Sequence, residues 1–353
     1  MASRSRWSDG VESSLKVSSP LYVFSGGGTG GHLAPGIAVA EELRRRNPAS
    51  RILFAGSGRA IEDQMLAGTD FERITHSAPP LGQLKRRPVS FLWSHWRAYR
   101  QARITLRKDR PQAVVGLGGF ASVPFVLAAR RERIPAVLLD QNAVTGRANR
   151  WLSSRWFLGR WLSGGSEICL TFAESAASLP SSARSTVTGN PLRSSLVTRA
   201  KIRRESQQLD NQLRTLLVLG GSQGSRQVNE SVLDAVSRLV SELAGWRVVH
   251  QTGLDGAESA RDTYSRFDIE HLVEPFFDDP AALYESATLA ISRAGATTLT
   301  ELAAFGVPSV LIPYPNAADN HQVLNARPFV KARAAVSVET QAGESRSGSM
   351  APV

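Results

Sequence analysis

Apolar residues in this chain fall in short dense runs. Tyr22-Val23-Phe24, Ile52-Leu53-Phe54-Ala55, Ala113-Val114-Val115, Ala136-Val137-Leu138-Leu139 and Ile168-Cys169-Leu170 mark the first half. Leu216-Leu217-Val218-Leu219, Val248-Val249, Leu289-Ala290-Ile291 and Val310-Leu311-Ile312 mark the second. Continuous runs bounded by Gly and Pro predict strands covered on both faces, as in a parallel sheet. Between them lie segments with helical spacing: Ile37, Ala40 and Leu43, then Ile61 to Leu66, then Val228 to Leu239. This alternation predicts an α/β fold with helices on both sheet faces. Glu167 to Phe172 reads as the last strand of the first half. The pattern then breaks at Gly189-Asn190-Pro191-Leu192-Arg193, where proline drives the preceding residue away from helix. The same grammar restarts beyond it. Two doubly wound domains facing a cleft are expected, 21–190 and 191–338.

Several strands run directly into glycine. Ser25 leads into Gly26-Gly27-Gly28-Thr29-Gly30-Gly31-His32, Val115 into Gly116-Leu117-Gly118-Gly119-Phe120, and Leu219 into Gly220-Gly221-Ser222-Gln223-Gly224-Ser225. Another strand ends in Asp140-Gln141-Asn142. Ligands of open α/β sheets bind outside the carboxyl ends of the strands. A glycine turn opening a helix brings free N–H groups and the positive end of the helix dipole to phosphate or sugar. One such turn says little, because any tight strand-to-helix connection uses glycine; their recurrence says more. The first loop lacks the lysine of a P-loop, and no G-x-G-x-x-G with a suitably spaced acidic residue marks a dinucleotide site.

With 353 residues the chain has room for two domains of about 150 residues each. The single Cys169 can form no internal disulfide, which favours a reducing compartment. No apolar run approaches the ~18–20 residues needed to span a bilayer. Residues 1–20 are polar without the apolar centre of a signal peptide, so a disordered extension is expected. The formal net charge of +11 is carried mostly by Arg. It fits either an anionic surface partner or an arginine-rich composition without functional meaning. Leu81 to Arg107 interleaves Lys85, Arg86, Arg87, Arg97 and Arg100 with Phe91, Leu92, Trp93, Trp96 and Tyr99. Leu81 to Trp93 reads as a surface for an anionic membrane. Trp96 to Leu106 reads as a domain helix with a buried aromatic stripe and a solvated basic face.

Seven motifs in order make the chain recognisable: Gly27-Gly28-Thr29-Gly30-Gly31-His32 with Pro35-Gly36; Gly116-Leu117-Gly118-Gly119-Phe120; Asp140-Gln141-Asn142; Gly189-Asn190-Pro191-Leu192-Arg193; Gly220-Gly221-Ser222-Gln223-Gly224; Arg293-Ala294-Gly295-Ala296 with Glu301; and Asp319-Asn320-His321-Gln322 with Asn325-Ala326. Together, from about Leu21 to Val336, they resemble the MurG family of bacterial cell-wall glycosyltransferases. The resemblance implies a GT-B architecture and metal-free, inverting transfer of N-acetylglucosamine from UDP-GlcNAc to the 4-hydroxyl of undecaprenyl-pyrophosphoryl-MurNAc-pentapeptide (lipid I), giving lipid II. It implies no cofactor and no nucleic-acid partner. It also implies peripheral attachment to the cytoplasmic face of the plasma membrane, with other cell-wall synthesis proteins as further partners and links to cell shape and division. The alternatives are a nucleotide-sugar-binding protein without turnover, or a GT-B transferase on another lipid acceptor such as diacylglycerol. The Thr29 to His32 loop argues against the latter.

Inverting transfer needs a general base for the acceptor hydroxyl and stabilisation of the departing pyrophosphate. His32 is the candidate base; Asp140 is its rival, or an orienting partner. Thr29, Gly30 and Gly31 are expected to hold the acceptor, and Asn142 to bond the donor sugar or the reacting hydroxyl. Most family members have His at the position of Leu139, so any role for it is absent here. Two pyrophosphate cradles are expected, one at Ser222 to Ser225 and one at the helix start at Ala296 and Thr297. By resemblance, Arg193 contacts the donor, Glu301 takes both ribose hydroxyls, the Phe277 backbone reads uracil and Gln322 contacts GlcNAc. The family normally continues with further helices after the Asn325-Ala326 motif. Residues 339–353 instead read as a disordered tail, which leaves the second domain without its closing helices and predicts reduced solubility or activity.

Overall fold

The computed structural model describes residues 19–76, 78–79, 82–154, 166–206, 213–220 and 224–339. The expected disordered ends lie almost wholly outside the described residues, as do Ser222 and Gln223.

The first sheet is built from β1 (Leu21–Ser25), β2 (Arg51–Gly56), β3 (Glu72–Thr75), β4 (Ala113–Gly116), β5 (Ala136–Asp140), β6 (Glu167–Leu170) and β7 (Arg184–Val187). Its connections carry α1 (Gly30–Arg46), α2 (Ala60–Leu66), α3 (Gly82–Arg86), α4 (Pro88–Asp109), α5 (Val123–Arg131) and α6 (Arg147–Ser153). The second begins with α7 (Ser194–Glu205) and continues through β8 (Arg214–Leu219), α8 (Arg226–Arg238), β9 (Trp246–Gln251), α9 (Ala257–Arg266), β10 (Glu270–Glu274) and α10 (Pro280–Ser286). It ends with β11 (Leu289–Ser292), α11 (Ala296–Phe305), β12 (Ser309–Leu311), α12 (His321–Lys331) and β13 (Ala335–Ser337).

Every strand pair is parallel. The orders are β3-β2-β1-β4-β5-β6-β7 and β10-β9-β8-β11-β12-β13. The two-faced burial follows from the apolar runs. On β1, Leu21 and Val23 join one core with Leu53, Val114, Leu138 and Ile168, whereas Phe24 joins Ile52, Phe54, Val115 and Leu139 on the other face. On β8, Leu217 and Leu219 face α7, α10 and α11, and Leu216 and Val218 face α8 and α9. Leu139 thus belongs to an apolar core.

The structure corrects two expectations. The last strand of the first sheet is β7, whose four residues are all exposed; an edge strand covered on neither face carries no apolar run. On α4 the buried stripe is Phe91, Ala98, Ala102 and Leu106, and Trp96 is not part of it. Trp96 is 45% exposed and stacks on Trp93, which is 57% exposed. Small alanines let α4 approach α5 closely, and that turns the large aromatics outward. Val89, Leu92 and Ile104 are exposed on the same helix. Among the described residues, no helix is long and apolar enough to cross a membrane.

Candidate functional site

The strand order reverses between β1 and β4 and again between β8 and β11. Such reversals open the crevices where α/β sheets bind ligands. The glycine loops after β1 and β4 meet at the first. Gly118 has φ +100°, and a Cβ there would stand 3.2 Å from the His32 ring, so this close approach requires glycine. His32 Nδ1 lies 3.0 Å from Thr29 Oγ1, the N-cap residue of α1. Burial holds the His32 pKa below its ordinary value, and His321 on the other side of the cleft lowers it further. The imidazole is therefore neutral at pH 7 and able to accept a proton. If Nδ1–H donates to Thr29 Oγ1, Nε2 is the free base.

Asp140 is placed differently. It is 4% exposed and its carboxylate accepts from Asn149 Nδ2 at 2.9 Å, Gly146 N at 3.0 Å and Asn142 N at 3.3 Å. Burial raises its pKa, against those three bonds. The geometry suits a brace for the loop 141–149 and not a base facing substrate. Asn142 Oδ1 accepts from Asn325 Nδ2 at 3.1 Å. The fully buried Asn325 also accepts from Ala143 N at 2.7 Å and donates to the Ala294 carbonyl at 3.1 Å, tying the two domains together.

At the second reversal, the N-terminus of α11 points toward the first loop. Thr297 Oγ1 donates to the Gly31 carbonyl at 3.1 Å, and Ala296 packs with Ala143 and Phe172 of the first domain. The amino ends of α1 and α11 therefore converge beside His32. One turn into α11, Glu301 Oε2 accepts from Tyr284 Oη at 2.6 Å. Burial pushes the Glu301 carboxyl up to about 7, opposed by that bond. Gln322 Oε1 accepts from Tyr314 N at 2.9 Å, which fixes the start of α12 against the loop after β12. Phe277 packs against the core of the second domain. The Arg193 guanidinium, at the start of α7, is paired with Glu41 of α1 at 2.7 Å, so it bridges the domains.

Arg293, Asn325 and Tyr284 also hold this site in place. Arg293 donates to Ser225 Oγ at 3.0 Å, to Gln227 Oε1 at 2.8 Å and to the carbonyls of Ile312 and Pro313. It thereby fixes the end of the β8 loop. Arg293 and Asn325 lie inside quoted motifs, which was the available signal. Tyr284 lies 17 residues before Glu301 with nothing local to link them. A groove of about 490 Å³ at the domain seam is lined by Ala143, Val144, Glu174, Leu324, Arg327 and Lys331, among others, and takes in none of the candidate residues.

Residues 22–156 match the glycosyltransferase family 28 N-terminal domain and residues 215–346 match the family 28 C-terminal domain. The UDP-N-acetylglucosamine--N-acetylmuramyl-(pentapeptide) pyrophosphoryl-undecaprenol N-acetylglucosamine transferase of Syntrophotalea carbinolica is 39% identical over 88% of this chain and 82% of its own length. The protein of the same name from Anaeromyxobacter dehalogenans is 40% identical over 90% of this chain and 79% of its own length. The crystal structure of Acinetobacter baumannii MurG superposes with a TM-score of 0.67 at 27% identity, covering 91% of this chain and 86% of that one. The chain is thus a glycosyltransferase of the two-domain GT-B class. Within that class it belongs to the MurG family.

Proposed function

We propose that this protein transfers GlcNAc from UDP-GlcNAc to the 4-hydroxyl of the MurNAc residue of lipid I, forming lipid II for peptidoglycan. The observation that carries this reading is the convergence of α1 and α11 on His32, with the Thr297–Gly31 bond closing the gap. One helix end belongs to each domain, as transfer between two anionic, pyrophosphate-bearing substrates requires.

The division of labour follows. Residues 191–338 form the donor domain: α7 packs on α10 and α11, which supports a junction ahead of Ser194. Glu301 accepts from the ribose hydroxyls, the backbone at Phe277 meets uracil, and Gln322 meets the sugar. The Ala296–Thr297 helix start, with Ser222 and Gln223, holds the pyrophosphate. Residues 21–190 form the acceptor domain, in which Thr29, Gly30 and Gly31 seat lipid I and Asn142 lies at the reacting edge. Asp140 acts on the reaction only by shaping the Asn142 loop, and Arg193 by linking α7 to α1. His32 takes the proton of the 4-hydroxyl as that oxygen bonds to the anomeric carbon from the face opposite the leaving group. The bond from that carbon to the β-phosphate oxygen breaks, UDP leaves with the electron pair, and the anomeric centre is inverted. Helix N–H groups and the α11 dipole stabilise the growing charge.

The exposed Trp93–Trp96 stack, with Leu92, Arg97 and Arg100 beside it, supports peripheral binding to the anionic cytoplasmic leaflet where lipid I resides. Radiolabelled GlcNAc supplied as UDP-GlcNAc should appear on lipid I and not on diacylglycerol. Binding of UDP-GlcNAc without transfer would instead identify a nucleotide-sugar-binding protein.

A further inference from the structure

We propose that Glu62 and Arg59, at the start of α2, are positioning residues for the glycine loop that carries Thr29 and His32. Glu62 is 6% exposed, yet it lies on a short helix at the sheet edge and not in an apolar core. Its Oε1 accepts from Gly28 N at 2.8 Å, Ser57 N at 3.2 Å and Ser57 Oγ at 2.7 Å, and its Oε2 accepts from Gly58 N at 2.9 Å. Arg59 Nη1 donates to the carbonyl of the same Gly28 at 2.7 Å. Both hydrogen-bonding groups of Gly28 are thus held by side chains of one neighbouring segment. Charge-assisted bonds of this kind are the strong ones, and two on one residue fix its orientation.

The bracket also accounts for the composition of the loop. A Cβ on Gly27 would stand 2.7 Å from Glu62 Oε1, and one on Gly28 would stand 3.3 Å from the Arg59 guanidinium. Gly27 and Gly28 have φ of +138° and +81°. These glycines therefore make room for the protein's own carboxylate and guanidinium as well as for a ligand. Because Glu62 occupies the Gly28 N–H, an incoming anion meets the open N–H groups of the first turn of α1 further along. The Gly28 peptide leads directly into Thr29, whose hydroxyl meets His32. Turning that peptide turns the N-cap of α1 and the imidazole with it.

This inference rests on the reading of the loop as the acceptor side, and its test separates the two. Glu62→Gln removes the charge and exchanges one acceptor oxygen for an NH₂ group, which faces the N–H of Gly58 in one orientation and those of Gly28 and Ser57 in the other. Arg59→Gln removes the exposed half and keeps the buried one, so it remains informative if Glu62→Gln folds poorly. In the full chain each should lower kcat/KM for lipid I by about tenfold to a hundredfold, the loss that displacement of a reacting group brings. The affinity for UDP should stay within about twofold. The double variant should fall short of the product of the two single effects, because both act on one peptide. The His32 ring resonance of isotope-labelled protein should titrate nearer the ordinary histidine value in each variant. A moved His32 titration with unchanged lipid I kinetics would uphold the positioning role and refute the acceptor-side reading. Unchanged titration and kinetics would overturn the inference, and so would parallel losses of UDP affinity and Tm.

Discussion

The loops after β1 and β8 hold equivalent places in the two sheets, and each opens a helix. Beneath the first lies the carboxylate of Glu62, which takes the Gly28 N–H. The second is gripped at its end by the Arg293 guanidinium, which binds Ser225 Oγ and also stands over the Tyr314 ring. Below it, Asn229 donates to the Thr252 carbonyl and accepts from His250, which in turn meets Tyr264. The first loop is held by one ion of each sign, Glu62 on the Gly28 N–H and Arg59 on the Gly28 carbonyl; the end of the second is held by a cation above a neutral network. Similar glycine grammar therefore does not confer similar electrostatics, because the neighbours that grip each loop come from other strands. The Arg293 charge is bonded to hydroxyl, carbonyl and amide oxygens and not to a carboxylate, which suits a donor pyrophosphate. At the first loop, part of the N–H array is already taken, so its ligand must be read further along α1.

The largest test of this contrast is His32→Ala. It should lower kcat roughly 100- to 10,000-fold, as loss of a general base does, with the KM for UDP-GlcNAc little changed. A parallel rise in donor KM would place His32 on the donor side. Next comes acid stability of the second domain. Burial pulls the His250 pKa down to about 4, so the folded state holds this ring neutral. Its contribution is complete above the ordinary value of about 6.5 and is lost as pH falls toward 4, up to about 3 kcal/mol. Urea midpoints at pH 7 and 5 should show the loss, and His250→Gln should remove that share of it. A pH-independent midpoint would contradict the buried neutral ring.

Glu301→Ala sharpens the donor assignment. It should raise the KM for UDP-GlcNAc about tenfold to a hundredfold with kcat largely kept, the range expected for hydrogen bonds to a charged acceptor. With its carboxyl raised to about 7, Glu301 is ionised above that value and protonated below it. Donor affinity should therefore weaken as pH falls through 7, a trend that initial-rate measurements across pH 6 to 8 would detect. The smallest effect belongs to the outer face of α4. Arg97→Gln should reduce partitioning onto anionic vesicles about fivefold, near 1 kcal/mol for one surface cation. Unchanged sedimentation with vesicles would remove α4 from the membrane contact.

Much of this was legible in the sequence because buried parallel strands write their position in uninterrupted apolar runs, and β1, β4, β5, β8 and β11 all announced themselves this way. Glycine marked the two reversals of strand order for the same local reason. The edge strand β7, Arg184-Ser185-Thr186-Val187, was hidden because no core covers it. The buried face of α4 is hard to read from the sequence because small alanines, and not Trp96, pack it closely against α5. The site residues His32, Thr297 and Glu301 were visible as parts of motifs. Glu62 and Tyr284 were not, since each acts across a separation, 34 residues from Gly28 and 17 from Glu301, that no local pattern encodes. Arg193 shows the converse: its motif was legible, but its pairing with Glu41 exists only in the folded chain.

The division of labour between the two loops is tested most directly by amide hydrogen exchange with and without UDP. UDP should slow exchange across 296–301 at the start of α11 and leave 26–32 as it was. Protection confined to 26–32, with the start of α11 unchanged, would contradict the account.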